Sequence, residues 1–128
     1  MPAIESPDIP APGVPLSAGY RAGDLLFVSG QIASNGDGSV LIGDFEDEVN
    51  KTLDNVEAIL KAGGADFSNV VKVNAWLSNS LLFAKFNEIY RQRFAAATDV
   101  PPARTTMVVA FGHADVRVEV DAIAYLGE

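Results

Sequence analysis

The chain has 128 residues, 48% of them hydrophobic, and carries 9 basic against 17 acidic side chains for a net charge of −8. That length suits one domain, 1–128, with a sizeable core, and the acidic balance disfavours phosphate backbones and anionic membrane surfaces as partners. Cysteine is absent, which excludes disulfides, thiolate nucleophiles and cysteine metal sites, and no apolar run approaches the roughly 18 residues of a membrane span.

Residues 1–15 hold Pro2, Pro7, Pro10, Pro12 and Pro15. Repeated proline forbids a helix and removes ladder donors, so this segment reads as an extended arm, loose or laid along a neighbouring subunit. It has neither the basic start nor the apolar stretch of a signal peptide, and the expected location is cytoplasmic. Ser17–Arg21 is a short candidate strand, and Ala22-Gly23-Asp24 a turn. LLFV, Leu25–Val28, is compact enough for a strand buried on both faces, and it runs into Ser29-Gly30-Gln31. Gly30 there fits either a bulge, with close approach to a ligand, or a plain strand end.

Asn35-Gly36-Asp37-Gly38 is a turn cluster. Asp44 can cap a helix whose first turn carries Glu46, Asp47 and Glu48, as the helix dipole favours. Phe45, Val49, Leu53, Val56, Ile59 and Leu60 make one apolar stripe, and Gly63-Gly64 ends it, so a helix is predicted over 45–62. VVKVNAWL, Val70–Leu77, alternates as a strand, with Val71, Val73, Ala75 and Leu77 expected on one face. Leu82, Phe83, Phe86, Ile89, Tyr90 and Phe94 predict a second helix over about 81–96, its aromatics in the core. Strands follow at about 103–110 and 115–126, joined by a loop holding His113, a lone histidine read as surface. The last strand sets Val116, Val118, Val120, Ala122 and Ala124 on one face and Arg117, Glu119, Asp121, Ile123 and Tyr125 on the other. The second face mixes charge with apolar groups, as a surface against a pocket or another subunit does. The order strand, strand, helix, strand, helix, strand, strand is α+β, with both helices able to cover one sheet face.

Two charged residues carry the chemistry. Arg104 follows Pro101-Pro102 at a strand start, and a guanidinium offers a planar fork that fits a carboxylate bidentately. Glu119 lies mid-strand, and a carboxylate held near such a fork can order or deprotonate a water. Taken alone, the same two residues suit a structural ion pair or two solvent-facing charges better than a catalytic pair, since ion pairs commonly perturb charged groups without catalysis.

The ordered set FVSGQI (27–32), LDNVEAIL with KAGG (53–64), VVKVNAWL (70–77), FNEIY (86–90), PPARTT (101–106) and VRVEVDAIA (116–124) resembles the Rid/YjgF family of enamine and imine deaminases. The resemblance implies a chorismate-mutase-like fold and a homotrimer with helices outside and three clefts between subunits. It implies that Arg104 clamps a substrate carboxylate, aided by the backbone at Thr105 or Thr106, and that Glu119 orders the attacking water. Ser29 and Gly30 would line the cleft, with Asn87 nearby. Neither metal nor cofactor is implied. Two positions depart from the family pattern. Leu16 stands where the deaminases carry a cleft tyrosine, and Thr106 where they often carry cysteine.

The reading is a cofactor-independent hydrolytic deaminase of small 2-imino or enamino acids. Its alternatives are a small-carboxylate-binding or regulatory protein on the same fold, and a deaminase for a specialised catabolic enamine such as an aminomuconate-like acid. Nuclease activity is a poor fit to so acidic a chain lacking a histidine pair or metal cluster.

Overall fold

The computed structural model describes residues 2–127. Its strands are β1 (Ala3–Ile4), β2 (Gly19–Ala22), β3 (Leu25–Gln31), β4 (Val70–Leu77), β5 (Ala103–Val108) and β6 (Val118–Tyr125), and its two α-helices are α1 (Phe45–Ala62) and α2 (Phe83–Ala95). All six strands form one sheet in the order β1-β2-β3-β6-β4-β5. Among the described residues only β4 and β5 pair in parallel. Parallel neighbours need a crossover, and α2 is that crossover. It therefore lies over β4 and β5, and side chains of β5 on the helix side meet it directly.

Both helices cover the same sheet face. Val49, Leu53, Val56, Ile59 and Leu60 of α1 share one core with Phe86, Ile89, Tyr90 and Phe94 of α2. From the sheet, Leu26, Val28, Val73, Ala75, Leu77, Val118, Val120, Ala122 and Ala124 enter it. Each fully buried large aliphatic there contributes about 1.5–3 kcal/mol of transfer free energy. Asp44 caps α1 by accepting from the Asp47 backbone N–H at 2.8 Å, and Gly64, at φ +84°, takes the chain out of the helix in a conformation other residues avoid.

Among the described residues the opposite face carries no helix. Leu25, Phe27, Met107 and Tyr125 lie exposed on it. A sheet face that mixes such groups with charge is incompletely buried by its own chain.

Four expectations need correction. The N-terminal arm is not strandless, because Ala3–Ile4 pairs with Tyr20 and Gly19 between the first two prolines, so the order gains a leading strand. LLFV is not buried on both faces, since Leu25 and Phe27 point to the open side. Val71 does not share the core face of β4. The pairing passes from Val70↔Ala124 to Lys72↔Ile123, a bulge that turns Val70 inward and leaves Val71 exposed. Arg117 does not join Glu119 on the open face, because β6 begins one residue later. Its Nε donates to Glu48 Oε1 at 2.7 Å, its backbone N–H to Oε2 at 2.8 Å, and its Nη2 to the Gly43 carbonyl at 2.8 Å. Glu48, only 1% exposed, is thus a buried ion-pair partner rather than a dipole charge on the surface.

Candidate functional site

Arg104 pairs in register with Val73 and so projects to the helix side of the sheet, onto α2. Its Nη2 donates to Asn87 Oδ1 at 2.6 Å. Its guanidinium carbon lies 4.7 Å from the Tyr90 ring centroid and 5.5 Å from that of Phe86. One edge of the fork is fixed by the amide, one face by the aromatic rings, and such a cation–π seat limits the side-chain entropy lost when the fork binds an anion. Asn87, Tyr90, Arg91, Phe94, Pro101 and Arg104 wall a cleft of about 520 Å³, with Thr98 and Asp99 at its margin.

Two hydroxyls beside Arg104 are buried and have no hydrogen-bond partner among the described residues, those of Tyr90 and Thr106. Burial pushes the Tyr90 phenol up to about 12, against the opposing pull of the Arg104 charge. Thr105 points the other way, and its hydroxyl accepts from Lys72 Nζ at 2.8 Å.

Glu119 occupies the open face. It pairs across from Trp76 and, on its other side, packs over Gly30. Strand β3 bulges there, since Val28 pairs with Ala122 and Gln31 with Val120, three steps against two. The bulge and the missing side chain together make room for the carboxylate. Burial raises the Glu119 pKa above the ordinary carboxylate value, and the neighbouring Asp121 charge adds to the rise. Asp121 is raised by burial too, but it is tempered by hydrogen bonds from the Asn74 backbone N–H at 3.0 Å and the Asn74 amide at 3.5 Å, and by Lys72. The Ser29 hydroxyl donates to the Ser17 carbonyl at 2.6 Å, so it ties the bulge to the chain before β2. Leu16, half-exposed, borders a groove of about 210 Å³ walled by the N-terminal arm. His113 stays in its loop, accepting from the Asp115 backbone N–H at 3.1 Å.

The sites expected from sequence thus fall into two groups. Arg104, Asn87 and Thr106 gather on the helix side. Glu119, Gly30 and Thr105 lie on the open side, with Ser29 at the bulge. Arg104 and Glu119 do not form a pair within one chain, because a sheet separates them. The sequence reading treated Tyr90 only as core and did not find its place beneath Arg104. The signal was available in the spacing of Asn87, Tyr90, Arg91 and Phe94, which share a helix face one turn apart.

This sheet, with two helices on one side, one of them the crossover that seats an arginine, defines a class of protein, and the comparisons identify it. The family model described as Endoribonuclease L-PSP matches residues 7–126, and the chain belongs to that family, the YjgF/Rid family. A RutC family protein of Pyrococcus horikoshii is 37% identical over 95% of each chain. A 2-iminobutanoate/2-iminopropanoate deaminase of Dermatophagoides farinae is 32% identical over 96% of this chain and 94% of its own. The crystal structure of Escherichia coli TdcF with bound serine superposes with a TM-score of 0.90 at 31% identity, covering 98% of both chains. Among the described residues no helix is long and apolar enough to cross a membrane.

Proposed function

We propose that the protein is a cofactor-independent deaminase that hydrolyses small 2-imino acids, or their enamine tautomers, to 2-oxo acids and ammonia. The observation that carries this reading is the guanidinium of Arg104, held by Asn87 and seated on Tyr90 at the wall of a cleft large enough for a small acid. A relative named for imine deamination over almost the whole chain supports it.

In this reading Arg104 holds the substrate carboxylate. Glu119 takes a proton from water as the water oxygen bonds to the imine carbon and the C=N electron pair moves to nitrogen. That proton passes to nitrogen to give a carbinolamine. Glu119 then takes the carbinol hydroxyl proton and delivers it to nitrogen, so that the C–N bond breaks and ammonia leaves as the carbonyl forms. A carboxyl whose pKa burial has raised suits both halves of that transfer. The imine is already electrophilic, so orientation and a placed water supply most of the acceleration.

Since Arg104 and Glu119 of one chain lie on opposite sheet faces, the proposal requires two chains per site. The edge strand β5 of one protomer would bring Arg104 against the open face of the next, in a closed homotrimer with three such clefts. The uncovered apolar groups Leu25, Phe27, Met107 and Tyr125 supply a surface for that contact. The acting molecule would work in the cytoplasm without nucleic acid as partner.

The test couples an amino-acid oxidase, which makes the imine, to semicarbazide, which traps it. Wild type should suppress semicarbazone formation, and Arg104→Ala and Glu119→Gln should each fail to. Dissociating and reassociating the two inactive variants together should restore about a quarter of the sites, those where an intact Arg104 meets an intact Glu119. No suppression by wild type would end the deaminase reading. Suppression without complementation would end the two-chain site. The second reading is carboxylate binding without turnover. It is favoured by Leu16 in the place of the cleft tyrosine and by the serine bound to the TdcF relative.

A further inference from the structure

Helix α2 carries three cations, and two of them are spoken for. Lys85 Nζ lies 3.3 Å from Glu46 Oε1. Arg93 Nη2 lies 2.8 Å from Asp54 Oδ1, and its Nη1 donates to the Asn50 carbonyl and side chain. Arg91 has neither a carboxylate within 4.0 Å nor a side-chain hydrogen bond among the described residues. It lines the same cleft as Arg104. In a chain with nearly twice as many acids as bases, a guanidinium without a partner beside a second guanidinium is an anion-binding arrangement.

We infer that the cleft takes a dicarboxylic 2-imino acid, with Arg104 holding the carboxylate next to the imine and Arg91 holding the distal one. This rests on the deaminase reading above and names its substrate class. Asn87, Tyr90, Arg91 and Phe94 fall one turn apart on α2, so Arg91 stands one turn along the helix from the residue that fixes Arg104. Tyr90, Phe94 and Pro101 line the same cleft and supply apolar surface that suits the methylenes of a short diacid. Asp99 also borders the cleft and opposes a second anion. Its repulsion sharpens the dependence on Arg91, because without that cation the distal carboxylate would meet a net negative margin. The Arg104 fork alone accommodates a monocarboxylic acid, so Arg91 determines preference and not turnover as such.

The test measures kcat/KM for the imine of aspartate, made by an aspartate oxidase, against that of 2-aminobutanoate, made by a general amino-acid oxidase. Wild type should favour the dicarboxylic imine by about tenfold, the effect of one charge-assisted contact at a partly solvated site. Arg91→Gln should bring the ratio close to one, and Arg91→Lys should keep most of it. Asp99→Asn should raise it. A wild-type ratio near one, or a ratio unchanged in Arg91→Gln, overturns the inference and leaves imine hydrolysis untouched. Calorimetric titration with 2-oxoglutarate and 2-oxobutanoate reads the same preference without turnover. If neither imine is hydrolysed faster, the deaminase reading fails. The diacid site then stands or falls on whether 2-oxoglutarate binds more tightly than 2-oxobutanoate and loses that advantage in Arg91→Gln.

Discussion

Gly30 and Glu119 fit one another so closely that a single methyl group on Gly30 would overlap the Glu119 carboxylate. The overlap falls on the end of a flexible side chain, not on backbone, so Gly30→Ala can be accommodated by swinging the carboxylate aside. We therefore expect the variant to lose less than about 1 kcal/mol of stability, as a small-to-large change with room to relax does. With Glu119 in the role proposed for it, turnover should fall by about a hundredfold, since displacing a reacting group by an ångström costs that much. Denaturant melts beside the semicarbazide assay separate the two effects. A variant that is fully active would show that the Glu119 position does not matter to the chemistry.

Much of this was legible in the sequence. The stripe from Phe45 to Leu60 and the glycines after it located α1 at its observed bounds, and the alternation in Val70–Leu77 located β4. Those signals are local and periodic. What escaped was set by pairing between distant segments. The bulge at Val71 depends on register with β6, and the turning of Arg117 depends on Glu48, 69 residues away. Arg104 and Glu119 were both singled out, yet their placement on opposite faces follows from which strand β5 joins and in which direction. No residue near either one carries that information.

The ring beneath Arg104 can be tested apart from its hydroxyl. Tyr90→Phe keeps the seat and removes a buried hydroxyl without a partner, so stability should hold or rise by about 1 kcal/mol. Tyr90→Leu removes the aromatic face and should raise KM for the imine more than it lowers kcat, because a looser Arg104 binds ground and transition states alike. Equal KM values in the two variants would show that the ring does not position the guanidinium.

Glu119 gives the protein a defined pH dependence. Its pKa is raised in the folded chain, so the fold holds this proton more tightly than the unfolded chain does. The associated stability is fully present below the unfolded value, about 4.3, and is lost as pH rises through the folded value. Glu119→Gln does not titrate. It should melt higher than wild type near neutral pH, and the gap should close as pH falls towards about 4. Thermal midpoints of both proteins across that range decide the matter, and a gap independent of pH would assign the difference to packing.

The ion pair of Glu48 and Arg117 should respond unequally to loss of either partner. Glu48 is 1% exposed at its side chain, and Arg117 is 37% exposed. Removing Glu48 leaves a guanidinium that water can reach, whereas removing the guanidinium leaves a buried carboxylate with only the Arg117 backbone N–H to satisfy it. We expect Arg117→Met to cost about 3–5 kcal/mol, the range for an uncompensated buried charge. Glu48→Gln keeps the volume and one acceptor, and should cost about 1–3 kcal/mol. Because Arg117 stands two residues before Glu119, the register of β6 is at stake as well as stability. The double variant Glu48→Leu with Arg117→Met removes both charges and should recover most of the loss, and denaturant midpoints of the three variants test this. If Glu48→Gln proves the more damaging single change, the pair does not act through burial of the carboxylate, and the bond that Glu48 accepts from the Arg117 backbone N–H, which Arg117→Met keeps, becomes the better account of how β6 is anchored.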